Sequence, residues 1–118
     1  MQFEDRVRLA RTGHYDSAST AKRMLAARMV TGLSQVKLAA AVGLNPTTIV
    51  AIEKGRQLPN WNLMAWLFEQ HRIDMTFIVY GAFQQLPLVV AEKLFACLDA
   101  ERDKYLPETG EPRQESPE

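Results

Sequence analysis

The chain has 118 residues, 47% of them apolar and 24% charged, the balance of one globular domain with at most a small appendage. Its single cysteine, Cys97, excludes an internal disulfide and a cysteine-cluster zinc site, and no apolar run approaches the roughly 18 residues of a membrane span. The net charge of zero conceals an asymmetry: residues 1–60 carry nine Lys/Arg against four Asp/Glu, a net of +5, and residues 61–118 carry five against ten, a net of −5. A basic half suits a polyanionic partner, although a charge balance that merely aids solubility explains it as simply. The N-terminal MQFEDRVRLAR lacks the apolar segment of a secretion signal, so a cytoplasmic location is expected, with no membrane contact.

Helical periodicity runs through most of the chain, and the alternation that marks strands is missing. Residues 1–11 suit a short first helix, closed at Thr12-Gly13. A helix over 18–30 follows, capped by Ser17 or Ser19, with Ala21, Met24, Leu25 and Met29 as its apolar stripe. Ser34 caps a helix over 35–42, and Gly43 ends it. Asn45 caps the next helix, 46–54, with Pro46 at its first position, where a missing amide hydrogen costs nothing. A helix over 61–71 should carry Leu63, Met64, Leu67 and Phe68 inward. Asp74 caps a short helix over 75–80, ended by Gly81. Pro87 opens a last helix to about Tyr105. The tail from Leu106 has three prolines and a net charge of −3, and disorder is expected there. This divides the chain into an N-terminal arm (1–17), a central domain (18–81), a C-terminal helix (82–105) and an acidic tail (106–118).

The informative stretch is QVKLAAAVGLNPTTIVAIEKG, residues 35–55. Two short helices meet at a tight turn containing a glycine, the helix-turn-helix pattern. Ala39 is small where the helices cross, and Gly43 permits the positive φ that swings the chain around. Leu38, Ile49 and Ile52 fill the wedge between them.

From Lys22 to Gly81 the chain resembles the phage-repressor-like XRE family of helix-turn-helix proteins. The matching residues are Arg28, Gly32-Leu33-Ser34-Gln35, Leu38-Ala39, Gly43, Ile49, Ile52, Glu53, Gly55, Pro59, Leu67 and Asp74. Their spacing is kept without a gap from Arg28 to Pro59. The resemblance covers about half of the chain. It implies an all-α, five-helix DNA-binding domain, usually dimeric, with a buried ion pair between Arg28 and Glu53. The residues agree: Glu53 sits among Ile49 and Ile52, where an unpaired carboxylate would be costly.

In this motif the second helix enters the major groove of double-stranded DNA. Its outward positions, expected to meet bases, are Pro46, Thr47, Val50, Ala51 and Lys54. The family usually places Gln, Ser, Arg or Asn at several of these. Pro46, Val50 and Ala51 depart from that pattern and cannot make bidentate contacts, but they can pack on thymine methyls. Phosphate contacts are expected from Ser34, Gln35, Lys37, Asn45, Thr48, Arg56, Gln57 and Asn60. Arg6, Arg8, Arg11 and the pair Lys22-Arg23 could add further backbone contacts.

One such domain covers few base pairs, so a homodimer is expected. The stripe Leu88, Ala91, Leu94, Phe95 and Leu98, with Trp66 and Phe83, is the candidate dimer surface; the alternative is that this helix folds back on its own domain. His14 and His71 lack metal-ligand spacing, Cys97 suits buried packing, and no catalytic motif or cofactor site is legible. The expected function is a prokaryotic or phage sequence-specific transcriptional regulator, acting as a dimeric repressor. The alternative is a protein–protein interaction module, such as an antitoxin or adaptor, on the same scaffold.

Overall fold

Five short polar side chains start five helices in the computed structural model, which describes residues 1–101. Asp16 accepts a hydrogen bond from the Ser19 amide (2.9 Å), Ser34 from Lys37 (3.1 Å), Asn45 from Thr47 (3.2 Å), Asn60 from Leu63 (2.8 Å) and Asp74 from Phe77 (2.9 Å). Each satisfies one amide that the first helical turn leaves without a partner. The helices that follow are α2 (Ser17–Thr31), α3 (Gln35–Val42), α4 (Pro46–Glu53), α5 (Trp61–His71) and α6 (Met75–Tyr80), flanked by α1 (Phe3–Ala10) and α7 (Leu88–Glu101). The fold is all-α, with no strand among the described residues. The expected end of the last helix near Tyr105 and the acidic tail lie outside them.

α2 is the central helix. It packs against α4 and α6 on one side and against α7 on another, while α3 packs on α4 and α5. Ser19, Thr20, Ala21, Arg23, Met24, Ala26 and Ala27 are all buried, so α2 has no single apolar stripe. Its small residues let neighbouring helices approach closely. The expected stripe is corrected accordingly: Met29 is exposed and Leu25 only half-buried. The cap is Asp16 rather than Ser17 or Ser19, because a carboxylate at that position reaches both the amide and the hydroxyl of Ser19. In α5, Leu63, Met64 and Leu67 face the core, but Phe68 is exposed, with the Arg72 guanidinium 5.4 Å from its ring.

Arg23 is fully buried and has a structural task. Its guanidinium donates to the carbonyls of Ala10 (2.7 Å) and Arg11 (3.4 Å) at the end of α1, and of Ile78 (2.9 Å) and Val79 (2.9 Å) near the end of α6. It also donates to His14 (2.7 Å) in the following loop. Two helix C-termini, each with unpaired carbonyls and a partial negative charge, thus converge on one cation. Burial pulls its pKa down to about 10, opposed by the Asp16 carboxylate, so the group is charged at neutral pH. Arg23 is therefore unavailable to DNA, which corrects the expectation for the Lys22-Arg23 pair. The same junction fixes Gly81: at φ +80°, an added Cβ would lie 2.6 Å from the Ala10 carbonyl oxygen. Thr12 donates to the Gly81 carbonyl at 2.7 Å, and the Gly13 amide to that of Tyr80 at 2.8 Å.

The C-terminal helix corrects the candidate dimer surface. Ala91, Leu94, Phe95 and Leu98 are buried within the chain's own fold, against α2 and α1. Phe83 is buried too, edge-on to Phe95 with ring centroids 5.1 Å apart. Phe3 packs on Phe83, and the Arg6 guanidinium lies 4.9 Å from the Phe95 ring centre. Among the described residues, the long apolar stripe is covered by α1 and α2. Trp66 is half-buried on the core, 5.5 Å from the His71 ring, and only Leu88 of the candidate set is exposed. Cys97 is half-buried, with burial and then Glu101 raising its thiol pKa.

Candidate nucleic-acid interface

α3 and α4 are short because Gly43 and Gly55 end the helical stretches, both at left-handed φ (71° and 74°). The two helices meet at a bend of 115°. The Leu44 amide returns to the Ala39 carbonyl at 2.9 Å and closes the turn. Leu38, Ala39, Ile49 and Ile52 are buried between them, as the spacing requires. At its far end α4 meets the start of α2: an added Cβ on Gly55 would contact the Ala18 backbone at 3.3 Å.

The orientation of α4 is set by a polar network. Arg28 on α2 forms a bidentate pair with Glu53 at the end of α4, Nε to Oε2 at 2.6 Å and Nη2 to Oε1 at 3.0 Å. The Arg28 side chain is 18% exposed and that of Glu53 7%. Arg28 also donates to the Leu33 carbonyl (3.0 Å), and Gln35 Nε2 donates to Glu53 Oε1 (3.2 Å). Three segments are therefore tied at one point: α2, the entry to α3, and the end of α4. A planar guanidinium suits this because its fork matches the carboxylate.

Among the described residues, none packs over the outward side of α4. Pro46, Thr47 and Lys54 are exposed, and Val50 and Ala51 are half-buried. Lys54 lies just past the helix, as its C-terminal cap. α7 packs on α1 and α2 rather than on this side. Around α4, Ser34, Lys37, Asn45, Arg56, Gln57 and Asn60 are exposed, with Gln35 and Thr48 half-buried. Ser34, Asn45 and Asn60 use one side-chain oxygen each as a cap, and the Gln35 amide is engaged by Glu53. Two exposed apolar residues stand next to this set, Leu58 and Trp61; periodicity alone did not mark them, since neither repeats on an apolar face. No group of three or more His, Cys, Asp or Glu among the described residues could hold a metal ion, and no single helix there is long and apolar enough to cross a membrane.

The model of the helix-turn-helix family matches residues 24–60, from the middle of α2 to the cap of α5. No curated protein and no solved structure matches the chain. That family is a DNA-binding one, and its match coincides with the segments tied by Arg28 and Glu53. Residues 24–60 are therefore a helix-turn-helix segment similar to those of the XRE family.

Proposed function

We propose that the chain is a sequence-specific repressor that occupies operator DNA as a homodimer, with α4 in the major groove. The observation that carries this reading is the accessibility of α4's outward side on a scaffold that fixes its angle. Pro46, Thr47, Val50, Ala51 and Lys54 would face base edges. Ser34, Gln35, Lys37, Asn45, Thr48, Arg56, Gln57 and Asn60 would face phosphates, where Gln35 can offer its backbone amide because its side chain is engaged. A second copy would pair through surface that remains uncovered, such as Leu88 and Val89 on α7 or Trp61 and Phe68 on α5. Two-fold pairing doubles the length of DNA read and is the commonest oligomeric arrangement.

The test is the double substitution K54E/R56E. Both side chains are exposed, so the thermal melt should match wild type while affinity for duplex DNA is lost. Retained affinity would refute the docking. One observation favours a second reading, a protein-interaction module: Trp61 is 72% exposed, with Leu58 and Phe68 also exposed. Absence of any salt-sensitive DNA binding, together with a protein partner lost on Trp61→Ala, would decide for that module.

A further inference from the structure

We propose that the outward side of α4 reads a methylated cytosine, so that cytosine methylation of the DNA strengthens binding. This rests on the major-groove reading above and specifies its ligand. Thr47, Val50 and Ala51 lie at i, i+3 and i+4, one continuous face, with Pro46 beside it. None of Pro46, Val50 and Ala51 can hydrogen bond through its side chain. The remaining donor among the outward five, Lys54, sits about 10 Å farther along the helix axis than Thr47.

Thr47 is the deciding residue. Its hydroxyl donates to Asn45 Oδ1 at 3.1 Å, the same oxygen that accepts the Thr47 amide at 3.2 Å. With its proton engaged there, the exposed Thr47 oxygen presents lone pairs to the groove. It accepts and does not donate. The face is thus a methyl-binding surface next to a hydrogen-bond acceptor.

The bases differ in how they meet such a face. Thymine offers a C5-methyl, but beside it the O4 acceptor, which opposes the Thr47 oxygen. Unmethylated cytosine offers the N4 amino donor without a methyl, and adenine a donor without a methyl. 5-Methylcytosine carries both the C5-methyl and the adjacent N4 donor. It is the pyrimidine whose edge fits this face at both points.

The test uses duplexes selected by the full chain from a random-sequence pool synthesised with 5-methylcytosine in place of cytosine. Resynthesis of the selected duplex with unmethylated cytosine should weaken binding roughly fourfold per contacted methyl. Replacing the contacted 5-methylcytosine–guanine pair by thymine–adenine should weaken the wild type about fivefold and leave Thr47→Val indifferent, because that variant lacks the acceptor. Methyl-independent affinity, with steep salt dependence intact, overturns the inference and leaves the DNA-binding reading standing. No salt-sensitive binding to any pool overturns both.

Discussion

Glu53→Ala tests how α4 is held. The substitution removes a carboxylate that receives two charge-assisted bonds from Arg28, at 2.6 and 3.0 Å, and a third bond from Gln35 at 3.2 Å. Removing one partner of a buried pair typically costs about 3–5 kcal/mol, because the other charge is left uncompensated. Arg28 keeps its bond to the Leu33 carbonyl and has some access to water, so the low end, about 3 kcal/mol, applies. For a domain of this size, that lowers the melting temperature by roughly 12–20 °C. Circular dichroism at 222 nm during heating, repeated in urea, measures it. The double variant R28A/E53A should lose less than the sum of the single variants, since no orphaned charge remains. An E53A variant that melts with wild type, or strict additivity in the cycle, would refute the argument.

Other predictions concern the α1–α6 junction and one pH dependence. Arg23→Lys keeps the charge but supplies at most three donors to carbonyls now served by a forked guanidinium, so it should destabilise by about 2–4 kcal/mol and expose α1 to limited proteolysis; urea denaturation with protease mapping checks this. Lys22 is half-buried, and desolvation followed by the nearby Arg11 charge lowers its pKa to about 8 from 10.5. Between those values the unfolded chain binds more protons than the folded one, so this group's contribution to stability rises as pH increases from about 8 to 10.5. The difference between wild type and Lys22→Met in urea midpoint across that window should shift in favour of wild type with rising pH; a constant difference would contradict it.

The parts of the fold legible in the sequence are those fixed locally. Asn45, Pro46, Gly43 and Gly55 announce α4 because caps and positive-φ turns act within a few residues. The Arg28–Glu53 pair follows only from family resemblance and the cost of an unpaired carboxylate, since its partners lie 25 residues apart. What was hidden depends on long-range packing. The Leu94–Phe95–Leu98 stripe looks the same whether it faces a second chain or α1 and α2, and only the fold decides between them. Arg23 resembled a surface cation; its acceptors are backbone carbonyls, which carry no residue-type signal. A retrospective hint was its place among Thr20, Ala26 and Ala27 on a face with little room for solvated charge. At the candidate site, the outward set of α4 came from helical spacing alone, whereas the Thr47–Asn45 bond required coordinates.

The claim that α4 and its basic neighbours meet duplex DNA is tested most directly by the salt dependence of binding. Fluorescence anisotropy of a duplex selected by the wild-type chain, titrated between about 50 and 200 mM salt, gives the slope of log affinity against log salt. The account predicts a steep negative slope that becomes shallower by about one in Arg56→Gln, which removes one phosphate-directed cation. A slope that is flat, or identical in the two proteins, would contradict it.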